Sequence, residues 1–107
     1  MKIIVLMLAH KELFYVHRKI VKNYMYWVVQ YIGKSEDVIQ YYFQINVFSD
    51  QFQNRKVTIS ENCQDDIKDD ITEIIDSGYA AGVPIPVLDS YKNENGHVWY
   101  NISIKKA

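Results

Sequence analysis

Cysteine is nearly absent from this 107-residue chain: Cys63 stands alone, so no internal disulfide can form and no metal site built from several cysteines is available. A lone thiol fits a reducing compartment, and the cytosol, or else the nucleus, is the expected location. Its neighbours Glu61, Asp65 and Asp66 are expected to raise the thiol pKa rather than lower it. Net charge is also lacking, at −1, so no global field holds a nucleic-acid backbone or an anionic membrane, and neither is expected as a partner. Long hydrophobic runs are missing too. The longest N-terminal one, residues 3–8, is shorter than the core of a signal peptide and no small-residue cleavage pattern follows; it reads as a buried strand, and no transmembrane segment is expected. With two prolines and four glycines there is no linker, repeat or low-complexity tract.

Catalytic patterns are equally scarce. His10, His17 and His97 are not at metal-ligand spacing and read as surface residues, and no Ser, Thr or Cys stands in a nucleophile context. The carboxylates around residues 65–76 lack the spacing, central Gly and closing Glu of a calcium loop. On a solvated helix face they also have no reason to hold separated pKa values. No catalytic residue, metal or cofactor is therefore expected, and the chain alone is not expected to be an enzyme.

What is present is aromatic and β-branched. Nine Tyr, four Phe and two Trp in a chain that is 49% hydrophobic favour one folded, β-rich domain over disorder. The closing segment alternates strictly: Val98, Tyr100, Ile102 and Ile104 share one face, and Trp99, Asn101, Ser103 and Lys105 the other, the period of a half-buried strand. Residues 3–9 are continuously apolar, as for a strand covered on both sides, and residues 13–19 are ambiguous. Residues 21–32 read as one long central strand, with Met25, Trp27, Val29 and Tyr31 opposite Tyr24, Tyr26, Val28 and Gln30. After turn chemistry at 33–37, a strand over 39–48 and another over 55–60 form a hairpin. Ile67, Ile71, Ile74 and Ile75 change the period to that of a short amphipathic helix within residues 64–76, ended by Ser77-Gly78. Residues 79–83 form a short strand that Pro84 and Pro86 confine to an edge or crossover. The basic cluster Arg18, Lys19 and Lys22 reads as solvated.

Several of these pieces, taken in order, resemble the C-terminal substrate-binding domain of the seven-in-absentia (Siah) ubiquitin-ligase family, an all-β, antiparallel TRAF-like β-sandwich with one short amphipathic helix. Val29-Gln30-Tyr31-Ile32-Gly33 is similar to that family's Val-Gln-x-Ile-Gly strand end. Arg55-Lys56-Val57-Thr58 resembles its basic pair and the strand that follows, and Ile67, Ile71 and Ile75 its helix. Asn95-Gly96-His97-Val98-Trp99-Tyr100-Asn101-Ile102-Ser103-Ile104 is similar to its closing Asn-Gly-x-Leu-x-Ile-Asn-Val-Thr-Ile. The match spans about 80 residues, and the family's Asp-Cys is replaced here by Gly78-Tyr79.

The resemblance implies a single domain over residues 1–107, truncated at its N-terminus relative to the family and without the RING and zinc fingers that make a ligase. It also implies a non-catalytic module that docks extended peptide motifs of substrate or adaptor proteins. Asn101 would face the bound peptide backbone, with Trp99 and Ser103 beside it; an Asn amide both donates to and accepts from an extended chain. Homo-oligomers, or heterodimers with Siah-type domains, are implied as well. The alternative is a dimerisation sandwich with no peptide groove. A third class, single-stranded nucleic-acid binding by base stacking on Tyr26, Tyr42 and Trp99, is opposed by the near-neutral charge. An unpaired apolar edge at residues 3–8 or its neighbour is expected to promote association.

Overall fold

The computed structural model describes residues 2–66 and 70–107, the side chain of Lys2 excepted. Among the described residues, eight strands make two antiparallel-rich sheets. One holds β1 (Lys2–Ala9), β2 (Glu12–Val21), β3 (Tyr24–Ile32) and the short β6 (Gln64–Asp65), with β7 (Ala81–Pro84) also paired to β3. The other holds β5 (Lys56–Asn62), β4 (Tyr41–Phe48) and β8 (Trp99–Lys106), in that order. Among the described residues, only the β3–β6 pairing is parallel.

Alternation decides which residues form the core. On β4, Tyr41, Phe43, Ile45 and Val47 point inward and are buried; they meet Trp27, Val29 and Tyr31 of β3 and Phe14 of β2. The centre is aromatic. The Phe14 ring lies 5.2 Å from Tyr41 edge-on and 5.5 Å from Tyr31, and Tyr31 stacks on Tyr41 at 5.1 Å, all within the range in which ring quadrupoles attract. A second, smaller core lies on the outer face of the larger sheet, where α1 (Ile71–Asp76) sets Ile71, Ile74 and Ile75 on Val28. Asp70 starts this helix by accepting from the Thr72 and Glu73 amides, at 3.0 and 3.4 Å. Gly78, at φ 86°, ends it where the sequence predicts. Ile67 lies outside the described residues. Gly82 is held by close approach: a Cβ there would stand 2.6 Å from the ring of Tyr26, its partner across the β3–β7 pair.

Four expectations are corrected. Residues 21–32 are not one strand, because the chain reverses at Lys22-Asn23, with Lys22 at φ 54°. Nothing at those positions has the glycine that usually marks such a turn. The start of the 39–48 strand is instead a 3₁₀ helix over Ser35–Gln40, and Ile39 is 84% exposed on it. A second helix, α2 (Ile85–Ser90), follows β7. Pro84 as N-cap and Pro86 in the first turn start it, because their missing N–H groups are not needed there. Residues 3–9 are not covered on both sides: β1 pairs only β2, and Ile4, Leu6 and Leu8 are exposed. An apolar run reads the same whether a strand is covered twice or lies bare at an edge, and here it is the edge, as the expected association hazard requires.

Cys63 is buried at the end of β5, and its pKa is pushed from the ordinary 9.0 up to about 12 by desolvation, not by the neighbouring acids. Burial disfavours the thiolate in the folded state only. Stability should therefore be unaffected by this group below pH 9 and fall as pH rises from there toward 12, where the unfolded chain releases a proton that the folded one keeps. Thiol titration with a disulfide reagent at pH 8 is expected to be slow in the native protein and immediate in denaturant. Equally fast labelling in both would contradict the burial.

Candidate functional site

The two sheets are unequal in width, and this creates the site. β4 lies over β3, and β8 is the outermost strand of its sheet. Beyond the free edge of β8, part of the inner face of β1 and β2 has no strand opposite it among the described residues. The opening is a trough with two apolar hollows. One, of about 280 Å³, is lined by Ile3, Val5, Met7, Val16 and Ile102. The other, of about 510 Å³, is lined by Ile20, Met25, Ile85, Leu88 and Val98. Arg18, Trp27 and Tyr100 border both. The Arg18 guanidinium donates from Nη1 to the Tyr100 hydroxyl at 3.0 Å, and the Tyr100 ring packs 5.4 Å from Trp27. At one end His10 donates from Nε2 to the Ile104 carbonyl at 2.7 Å, tying the β1–β2 turn to β8.

Asn101, Trp99 and Ser103 lie on the same strand but face the other way, on the outer surface of the smaller sheet, as the alternation predicts. Trp99 is 52% exposed and stands opposite Phe48; Ser103 stands opposite Gln44. Asn101 Oδ1 accepts from Asn46 Nδ2 at 3.0 Å, and Asn46 Oδ1 accepts from Thr58 at 2.7 Å, a polar rung crossing all three strands. The rung fixes the Asn101 side chain beside the β8 edge while its own Nδ2 makes no hydrogen bond among the described residues. The three residues thus flank the edge from outside and the trough opens on its inner side. Sequence pattern does not reveal the trough, because its walls come from β1, β2, β3, α2 and β8 and no local periodicity joins them.

The histidines do not all lie at the surface. His17 is buried, with Nε2 2.6 Å from Gln30 Oε1. The basic cluster is divided between faces: Arg18 turns inward to the trough, while Lys19 donates to Thr72 of α1 at 3.0 Å. The three aromatics considered for base stacking do not form one platform. Tyr26 lies on the outer face of the larger sheet, stacked on Tyr24 at 5.6 Å, whereas Tyr42 and Trp99 lie on the opposite side of the sandwich. No helix among the described residues is long and apolar enough to cross a membrane.

Architecture and edge together define an all-β, TRAF-like antiparallel sandwich. The sequence matches the family described as Sina, TRAF-like domain over residues 7–103, nearly its whole length, and the chain belongs to that family. Comparison with curated proteins finds no match.

Proposed function

We propose that this chain is a non-catalytic docking module that takes up an extended segment of a partner or substrate protein as an added strand on β8, serving the ubiquitin-conjugation pathway as Siah-type domains do. The observation that carries the proposal is the unpaired edge of β8, set between a row of polar and aromatic side chains outside and an apolar trough inside. An exposed edge gives main-chain hydrogen bonds to any extended peptide, and side chains alternating on its two sides give selectivity. Asn101 then offers its amide to the added backbone, with Trp99 and Ser103 on either side of it.

The test is a titration of the chain with extended peptides from partner proteins, comparing Asn101→Ala. Binding is expected to weaken by about threefold to tenfold, the worth of roughly one net hydrogen bond. The thermal midpoint should hardly move, because exposed positions rarely contribute more than about 0.5 kcal/mol. Unchanged affinity would remove Asn101 from the site.

A second reading has its own observation. Ile4, Leu6 and Leu8 of β1, with Leu13 and Tyr15 of β2, form an exposed apolar surface, and β1 is an edge strand of the larger sheet. This favours self-association of the sandwich, with or without peptide binding.

A further inference from the structure

Arg18 is an anomaly in the trough. Most of its neighbours there are apolar, with Asp89, Lys92 and His97 also bordering the larger hollow; its guanidinium is met by a phenol hydroxyl and a ring face 5.8 Å away, and it has no carboxylate partner among the described residues. The nearest acid bordering the larger hollow, Asp89, is already neutralised by Lys92 at 3.1 Å. Below Arg18, its cross-strand partner Trp27 is 2% exposed, and its indole N–H is buried with no acceptor. A cation without a counter-charge and a buried donor without an acceptor sit side by side, midway between two apolar hollows.

The spacing along β8 turns this into a pattern. Ile102 borders one hollow, Val98 the other, and Tyr100 lies between them. In a strand, residues two apart share a face, and four residues span about 13 Å. A strand added beside β8 would therefore present side chains i, i+2 and i+4 to the first hollow, the Arg18–Tyr100 pair and the second hollow.

We infer that the trough selects an extended segment of a partner protein with the pattern apolar–x–acidic–x–apolar, its two apolar side chains filling the hollows and its carboxylate meeting Arg18. The inference rests on strand addition at β8 and specifies what that strand must carry. The pattern is symmetric, so it holds for either strand direction. A planar guanidinium and a carboxylate form paired, charge-assisted hydrogen bonds. In a groove lined by hydrocarbon, a basic side chain at the same place meets repulsion, and a neutral one leaves the guanidinium desolvated without compensation.

The experiment uses the full chain and three acetylated peptides of sequence Ser-Thr-Leu-Thr-X-Thr-Leu-Thr-Ser, with X as Asp, Asn or Lys. Affinity is followed by fluorescence anisotropy, and the Trp27 indole N–H by NMR. The Asp peptide is expected to bind about tenfold tighter than the Asn peptide and to shift the Trp27 resonance, with the Lys peptide weakest. Arg18→Gln should erase the Asp-over-Asn preference, the Asp peptide losing the advantage that its carboxylate gains from the guanidinium. If all three peptides bind equally, or the preference survives Arg18→Gln, the inference falls and strand addition stands. A Trp27 resonance that stays still while peptide binds places the segment elsewhere and overturns the inference. Affinity that drops as chain concentration rises puts a second copy of the chain in the trough and overturns it too. If none of the three binds while natural extended segments do, the inference alone falls; if no extended peptide binds at all, the docking proposal fails with it.

Discussion

Phe14→Ala is expected to cost about 3–5 kcal/mol of folding stability, the range for removing a fully buried aromatic ring. Phe14 has no exposed surface and touches the rings of both Tyr31 and Tyr41, so its loss opens a cavity where three strands from two sheets converge. Small domains hold only about 5–15 kcal/mol in total, and 1 kcal/mol is worth several degrees at this size, so the thermal midpoint should fall by about 20 °C or more. Phe52→Ala, in the exposed β4–β5 loop, is the control and should change stability by no more than about 0.5 kcal/mol. Calorimetry on the two variants gives the comparison. A Phe14→Ala protein melting within a few degrees of the parent would mean that the core is not centred on this residue.

The second large effect concerns association. Leu6 and Leu8 are 58% and 70% exposed on the outer side of an edge strand, and an apolar edge of this kind invites pairing with another copy. The parent chain should form concentration-dependent oligomers by light scattering. Leu6→Lys combined with Leu8→Lys should suppress them, because each buried Leu is worth about 1.5–3 kcal/mol and a two-fold interface counts every change twice. The association constant is expected to drop by at least about a hundredfold. Both side chains point away from the core, so the fold itself should survive the change. A parent chain that stays monomeric at high concentration would sink the association reading while leaving the β8 edge as it is.

These two experiments probe opposite flanks of one asymmetry. The larger sheet extends past the smaller one, so its flank strand β1 has an uncovered outer face and an inner face that looks into the trough. Self-association and peptide docking would use different sides of the same hairpin. Leu6 also borders the smaller hollow, so Ile4→Lys combined with Leu8→Lys, both outside the hollows, allows peptide affinity to be measured free of competing oligomers.

Much of the fold is written in short-range pattern. The alternation of Tyr41, Phe43, Ile45 and Val47, and of Val98, Ile102 and Ile104 against Trp99, Asn101 and Ser103, fixes which side of each strand faces the core, because successive side chains must point in opposite directions. The three-and-four spacing of Ile71, Ile74 and Ile75, with Gly78 behind them, fixes α1 and its end in the same way. Pattern misleads where local chemistry is atypical: Lys22 adopts a left-handed backbone that glycine or asparagine usually signals, and Pro84-Ile85-Pro86 opens a helix where the prolines suggest only the limit of a strand.

The sequence alone therefore determined the strands' inward and outward faces, the small helix, the lone thiol and the identity of the domain, all properties of neighbours along the chain. Tertiary structure alone decided that the apolar run at β1 is a bare edge, that Arg18 turns inward to Tyr100 while Lys19 reaches α1, and that β8 borders an open trough. The reason is that an edge, a groove or an uncompensated charge is defined by what does or does not lie opposite. Here the opposing residues, from Ile3 to Ile102, are brought together only when the two sheets stack at unequal width.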